Sequence, residues 1–86
     1  MNFETEVWDV CNQIAEMVIE KNRKYGNSAL DPVRVFSKLD REEGMLVRMD
    51  DKLSRIREGA ADEDEDPILD LAGYIVLLLV GRRSNG

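Results

Sequence analysis

The fold of this chain is decided by residues 68–80, which read Ile68-Leu69-Asp70-Leu71-Ala72-Gly73-Tyr74-Ile75-Val76-Leu77-Leu78-Leu79-Val80. Apolar side chains recur on almost every side of this stretch, which predicts a helix over about 67–80. A helix that is apolar all round must be covered all round, and two further helices of one short chain do not easily cover it. The stretch therefore predicts an all-α protein that completes a four-helix or larger bundle by oligomerisation, most simply as a two-fold dimer.

Two more helices are predicted upstream of this one. Helix two should cover about 41–58, where apolar side chains repeat in the 3-4-3 pattern of a bundle seam: Leu46, Met49, Leu53 and Ile56. Helix one should cover about 3–24, with an apolar stripe at three- and four-residue steps: Phe3, Val7, Val10, Cys11, Ile14, Met17 and Val18. We expect Gly26 and Gly59 to end these helices, and a short helical piece over 33–39 between them.

The composition limits the class of protein. Eighty-six residues predict one domain, 1–86, and a monomer of this size buries only about 60–65% of its unfolded surface, so it would be marginally stable alone. The net charge of −6 argues against a general nucleic-acid binder and against a binder of anionic membranes, because both need a basic surface. The longest apolar stretch, 71–80, is too short to span a bilayer.

The single cysteine and the acidic start of the chain predict a soluble cytoplasmic protein. One cysteine cannot form an intramolecular disulfide, which suits a reducing compartment. Cys11 lies in the apolar stripe of helix one, so we expect a buried structural thiol and not a nucleophile. The first six residues contain two glutamates and no Lys or Arg, unlike the basic start of a signal peptide.

Asp70 is the most informative single residue, because it is a carboxylate within an otherwise apolar helix. An unpaired buried charge costs several kcal/mol, so Asp70 must meet a cation, a metal or a cluster of hydrogen-bond donors. A structural ion pair to an arginine of helix two would satisfy it equally well. Asp66 lies one turn before Asp70 and could face the same point, although an Asp before Pro is also a standard N-cap.

The remaining acidic candidates lie on helices one and two. Glu16 and Glu20 share one face of helix one, which is either part of a site or an ordinary solvated face. In helix two, Asp50 lies closer to the apolar seam and is the easier inward ligand. Asp51 lies among cations and is the easier ion-pair partner.

Three cations form a stripe beside the apolar seam of helix two: Arg48, Lys52 and Arg55. Such a stripe could hold phosphates. The alternative is a ladder of i, i+3 and i, i+4 pairs, in which Asp51 bonds Arg48 and Arg55.

Taken together, three helices bring carboxylates and the middle one brings cations. The chain has no His, so a site built from its acidic oxygens suits a hard ion, Mg²⁺ or Mn²⁺. The candidate metal ligands are Glu16, Glu20, Asp50, Asp51, Asp66 and Asp70. The reaction that such a site implies is attack of a metal-activated water on a phosphoanhydride.

Three blocks of the chain resemble a known family. They are residues 21–27, Lys-Asn-Arg-Lys-Tyr-Gly-Asn, residues 44–56, Gly-Met-Leu-Val-Arg-Met-Asp-Asp-Lys-Leu-Ser-Arg-Ile, and residues 66–74, Asp-Pro-Ile-Leu-Asp-Leu-Ala-Gly-Tyr. In this order they look like the nucleotide-modification-associated family, small helical proteins of phages and bacteria that are allied to the MazG-like all-α nucleoside triphosphate pyrophosphohydrolases.

The resemblance implies a Mg²⁺-dependent pyrophosphohydrolase-like fold in the cytoplasm of a bacterial or phage-infected cell. The positions that match the family's polar residues are Asp51, Lys52, Arg55, Asp66 and Asp70. Glu16 and Glu20 are carried over by analogy with the acidic first helix of MazG-like proteins. Those enzymes carry an E-x-x-E helix followed by an E-x-x-D helix, whereas this chain has Asp66-x-x-x-Asp70.

Our leading hypothesis is thus an oligomeric, dimeric or tetrameric, nucleotide pyrophosphohydrolase that releases a monophosphate and pyrophosphate. Asp51 and Asp70 are the catalytic candidates. The proposed phosphate-binding residues are Lys21, Arg48, Lys52 and Arg55, and the proposed contacts to base or sugar are Tyr25 and Asn27. The alternatives are a non-catalytic protein that binds or sequesters a nucleotide signal, and a structural helical oligomerisation module.

Overall fold

The computed structural model of the chain describes residues 2–26, 40–59 and 66–84. Within these ranges it contains three helices and no strand, so the predicted all-α class is confirmed. The helices are α1 (Phe3–Lys24), α2 (Arg41–Glu58) and α3 (Pro67–Ser84). The bounds predicted for the first two helices are confirmed. Asn27, the helical piece expected over 33–39 and the acidic connector 60–65 lie outside the described residues.

Local capping explains where the helices begin. The Asn2 side chain accepts hydrogen bonds from the backbone N–H groups of Glu4 and Thr5, and the Asp40 carboxylate accepts one from the Glu43 N–H at 2.8 Å. Each bond satisfies a donor that the first turn of a helix leaves free.

Glycine in the left-handed region follows the first two helices. Gly26 has φ 64° and Gly59 has φ 69°, a conformation that costs little without a Cβ atom. The predicted ends of helices one and two are therefore confirmed.

Helix α3 continues to Ser84 and not only to the predicted end at Val80. Two contacts join this extra turn to the start of α2. The Arg41 guanidinium donates to the Gly81 carbonyl at 2.8 Å, and Arg82 pairs with Glu42 at 2.8 Å. The hydrogen bond and the charge of Glu42 raise the pKa of Arg82, so this cation stays charged at any working pH.

Helix α3 packs against both α1 and α2. Gly73 lies in the contact with α1, because a Cβ atom there would lie 2.8 Å from the Met17 Cε, the flexible end of that side chain, and 3.3 Å from the Val18 Cγ2. The side chains of α1 therefore occupy the space beside Gly73 in the middle of α3.

The packed face of α2 is rotated from the predicted seam. Met45 is the one fully buried hydrophobic side chain among the described residues, and Lys52 is only 13% exposed. By contrast, Leu46 and Leu53 of the predicted seam are exposed. The rotation places the Lys52 ammonium 3.4 Å from the Asp70 Oδ2 of α3.

The apolar stripe of α1 is covered only at its C-terminal half. Ile14, Met17 and Val18 are half-buried, whereas Phe3 and Val10 are 82% and 50% exposed. The expectation of a buried Cys11 is wrong for the single chain, since its thiol lies on the exposed half of the helix.

No helix within the described ranges is long and apolar enough to cross a membrane.

Candidate functional site

Asp70 is buried and bonded to two lysines. Its side chain is 9% exposed, its Oδ1 accepts from the Lys21 Nζ at 3.0 Å, and its Oδ2 lies 3.4 Å from the Lys52 Nζ. The prediction that this carboxylate meets a cation is confirmed. The alternative prediction, an ion pair between Asp70 and an arginine of helix two, is wrong. The partners of Asp70 are lysines, one from α1 and one from α2.

The ion triad of Lys21, Lys52 and Asp70 draws one side chain from each helix. Asp70 lies in the first turn of α3, and Lys21 lies in the last turn of α1. A carboxylate is favoured at a helix N-terminus and an ammonium at a C-terminus, so both charges also suit the dipoles of their own helices. The triad is therefore the point at which the ends of α1 and α3 meet the middle of α2.

A pocket of about 260 Å³ opens beside this triad. Its charged lining comprises Lys21, Arg48, Lys52 and Asp70, which gives a local charge of +2 in a chain whose net charge is −6. The rest of the lining is aromatic, apolar or neutral: Met17, Val18, Asn22, Tyr25, Gly73, Tyr74 and Leu77. Cations and aromatic rings in the lining of one pocket suit an anion that carries an apolar or planar group.

Three of the four predicted phosphate-binding residues line the pocket, and Arg55 does not belong to its lining. The Arg55 guanidinium pairs with the Asp51 carboxylate at 3.3 Å, as the ladder alternative predicted. Tyr25, the proposed contact to base or sugar, lines the pocket and has the Lys24 ammonium 5.4 Å from its ring centre.

Most of the predicted metal ligands lie elsewhere on the chain. Glu20 pairs with Arg23 at 3.3 Å on the exposed side of α1. Asp66 caps α3, since its Oδ1 accepts from the N–H groups of Ile68 and Leu69. Glu16 and Asp50 are exposed, so Lys52, and not Asp50, is the side chain of α2 that faces inward beside α3.

The carboxylates of one described chain do not fit a Mg²⁺ site by themselves. Among residues 2–26, 40–59 and 66–84, no three His, Cys, Asp or Glu side chains lie close enough together to hold a metal ion. Asp70 is the one predicted ligand in the pocket lining, and Mg²⁺ needs further oxygen ligands in near-octahedral geometry. Metal binding by this protein stays a prediction.

Six pocket residues were not predicted as site residues, and two of them carry polar side-chain groups, Asn22 and Tyr74. Helical spacing carried the signal for Tyr74, which lies one turn after Asp70 and so shares its face. Asn22 follows Lys21 directly, and its place in the pocket depends on how α1 crosses α3.

Comparisons with protein-family models, with curated proteins and with solved structures found no match. The resemblance to the nucleotide-modification-associated family therefore stays an expectation that rests on the three sequence blocks.

Proposed function

We propose that the pocket binds a nucleotide through its phosphates, in a protein of the nucleotide pyrophosphohydrolase type. The observation that carries this proposal is the convergence of Lys21 and Lys52, from two helices, on the buried Asp70 at a pocket that Arg48 also lines. A local excess of positive charge in an acidic chain selects anions at short range while the rest of the surface repels polyanions such as DNA.

Asp70 prepares the lysines for an anion. Free lysine side chains lose much conformational entropy when they bind a ligand. Here the carboxylate already holds both ammonium groups in place. The Lys21 side chain is still 55% exposed, so an incoming phosphate oxygen can reach its remaining N–H donors.

Arg48 supplies the second kind of phosphate ligand. It is exposed and lines the pocket one turn before Lys52 on α2. A planar guanidinium binds two phosphate oxygens at once, whereas an ammonium acts as a point charge. Together they match the several oxygens of a di- or triphosphate better than those of a single carboxylate.

The two aromatic rings of the pocket lining would hold the base or sugar. Tyr25 is 59% exposed and Tyr74 is half-buried, so both rings present accessible surface to the pocket. The volume of about 260 Å³ lies just below the ~300–1,000 Å³ that is usual for small-molecule sites. The pocket of one chain therefore holds part of a nucleotide.

The proposal includes two alternatives, a hydrolase and a non-catalytic nucleotide binder. The buried carboxylate of Asp70 among phosphate-binding cations favours hydrolysis of a phosphoanhydride, with Asp51 as the second candidate. The lysines that already neutralise Asp70 favour the alternative, a non-catalytic protein that binds or sequesters a nucleotide. Because the described residues of one chain bring no Mg²⁺ donor set together, we derive no catalytic step through the metal.

We also propose that the protein acts as a homo-oligomer, a dimer or a tetramer, in the cytoplasm of a bacterial or phage-infected cell. Large apolar side chains on all three helices are exposed in the single chain, among them Trp8 at 62% and Val47 at 54%. A purely structural oligomerisation module would share this feature, but it would not need a cationic pocket.

Calorimetric titration with nucleoside mono- and triphosphates, with and without a chelator, tests the proposal. Arg48→Ala should weaken binding about 10-fold or more, since it removes charge-assisted hydrogen bonds to phosphate. Arg57→Ala is the matched control, because this arginine is exposed on the same helix and lies outside the pocket lining; its effect should stay within about twofold.

An assay of pyrophosphate release with Mg²⁺ distinguishes the hydrolase from the non-catalytic binder. Turnover that a chelator abolishes supports the pyrophosphohydrolase, and chelator-independent binding without turnover supports the binder. If no nucleotide binds, or if both arginine variants lose affinity equally, the pocket is not the nucleotide site.

A further inference from the structure

The pocket is lined by residues of all three helices. The backbones of α1 and α2 both approach α3, whereas among the described residues they do not approach each other. Lys21 of α1 and Arg48 of α2 both belong to the lining. A ligand that contacts both cations would therefore join two helices that have no backbone contact of their own.

The two lysines of the ion triad differ in how far they reach solvent. The Lys52 side chain is only 13% exposed, and its Nζ lies 3.4 Å from the Asp70 Oδ2, so it is an internal partner of this carboxylate. The Lys21 side chain is 55% exposed, and its Nζ donates to the Asp70 Oδ1 at 3.0 Å. An ammonium group has three donors. Lys21 can therefore bind an anion while it stays bonded to Asp70.

Arg48 is the counterpart of Lys21 on α2. Its side chain is exposed and lines the pocket, and no ion pair or hydrogen bond joins it to another described residue. Asp51, the partner that the ladder alternative gave it, pairs with Arg55. A guanidinium has five donors and binds two oxygens of one phosphate at once. Arg48 is thus ready to hold one phosphate group from the α2 side.

The charges of the pocket lining oppose a close approach of α1 to α2. Lys21 is positive on α1, and Arg48 and Lys52 are positive on α2, against the one carboxylate of Asp70. The excess of +2 lies beside a low-dielectric interior, where like charges repel more strongly than in water. An anion with two or more negative charges would cancel this excess. Two phosphates joined through oxygen would supply one phosphate for each helix.

The position of α1 is the property that such an anion would change. None of the residues 3–24 of this helix is fully buried, whereas α2 buries Met45 and α3 buries Asp70. A helix with few buried contacts lies at the low end of the range of local stabilities within a protein. A ligand that binds only one arrangement of two elements stabilises that arrangement as its concentration rises above its Kd.

We propose that a ligand with a pyrophosphate group bridges Lys21 of α1 and Arg48 of α2, and that α1 takes up one fixed position beside α2 only when such a ligand is bound. This inference rests on the proposed nucleotide site and adds that the ligand is a structural link between helices. Nucleoside di- and triphosphates belong to this ligand class. A monophosphate does not, because it has a single phosphate group for the two helices.

Pulsed electron spin resonance tests the link in the full chain, with inorganic pyrophosphate as the probe. One nitroxide is placed on Cys11, the exposed cysteine of α1, and the other on Arg57→Cys, an exposed position of α2 outside the pocket lining. An excess of unlabelled chain removes distances between copies. The distance distribution should be broad without ligand, and saturating pyrophosphate should narrow it at least about twofold. Phosphate at equal ionic strength should leave it broad.

Two substitutions and a matched control test the bridging residues. Lys21→Met and Arg48→Met should each abolish the narrowing and weaken pyrophosphate binding about 10-fold or more in calorimetry. Arg23→Met is the control, because Arg23 lies in the last turn of α1, pairs with Glu20 and is outside the pocket lining; it should change neither. Arg48→Met removes no contact to a described residue, so it keeps the test decisive if Lys21→Met unfolds.

Each other outcome overturns the inference in a recognisable way. A distribution that is narrow without ligand, or that stays broad with pyrophosphate bound, overturns the link and leaves the nucleotide site standing. Nucleotide binding without pyrophosphate binding does the same. Narrowing by phosphate overturns the need for two phosphate groups, and narrowing that survives Arg48→Met overturns the bridge. Equal loss in Arg23→Met would show general charge screening instead. If neither pyrophosphate nor any nucleotide binds, the inference and the proposed function both fail.

Discussion

Replacing Asp70 by asparagine removes one negative charge from between two lysines and changes the side-chain volume little. After the substitution, the Lys52 ammonium would stay largely without water, because this side chain is only 13% exposed. The Lys21 ammonium would be largely hydrated, because its side chain is 55% exposed. Removing one partner of a buried pair costs about 3–5 kcal/mol, and solvent access to Lys21 reduces this to about 2–4 kcal/mol. A chain of 86 residues has a total stability of roughly 4–13 kcal/mol.

We therefore expect Asp70→Asn to lower the thermal midpoint by about 8–32 °C, at about 4–8 °C for each kcal/mol in a domain of this size. Circular dichroism at 222 nm, with all variants at one protein concentration, measures this shift. The matched control is Asp51→Asn, which removes an exposed carboxylate paired with Arg55 on α2 and should cost less than about 0.5 kcal/mol.

A second substitution separates the charge from the packing. Lys52→Met in the Asp70→Leu background replaces the buried ions by apolar groups of similar volume, and it should recover most of the lost stability. The reasoning is refuted if Asp70→Asn unfolds at the wild-type temperature or above it. That result would mean that the carboxylate opposes folding and is kept for a ligand, not for the ion triad.

Three further predictions concern sites outside the pocket. Gly44→Ala should raise the free energy of unfolding by up to ~1 kcal/mol in urea titrations, because a Cβ atom at this helical position meets no atom within 4 Å and alanine favours the helix; a lower midpoint would show that α2 is covered there. The exposed Cys11 should react with a thiol reagent in the folded protein at about the rate of a free peptide thiol, and protection would place it in an interface. Glu42→Gln should change the stability by less than about 1 kcal/mol, because its pair with Arg82 is exposed; a larger loss would mean that this pair is needed for the last turn of α3.

The extents of the helices were largely readable from the sequence. Apolar periodicity, the Asp66-Pro67 start and the glycines at 26 and 59 predicted all three helices, because capping and periodicity act between residues a few positions apart. The error at the end of α3 has a tertiary cause. Gly81 would ordinarily stop a helix, but Arg41, forty residues away, bonds its carbonyl.

The site was predicted in its residue types and not in its arrangement. The sequence pointed to Asp70 and Lys52, and local pairing of Asp51 with Arg55 was considered from their spacing. The inward position of Asp50 was wrong because the rotation of α2 about its own axis depends on what it packs against. For the same reason, the carboxylates of the three helices do not converge in groups of three among the described residues.

The sequence by itself determined three capped helices, an acidic surface and a carboxylate that had to find a cation. Only the tertiary structure decided which cation that is. Lys21 lies 49 residues from Asp70, and no periodicity within one helix relates two side chains so far apart. Their meeting depends on how α1 packs against α3 beside Gly73, and the meeting of Lys52 with Asp70 depends on the rotation of α2. Helix formation is a local property, whereas the partner of a buried charge is set by packing between helices.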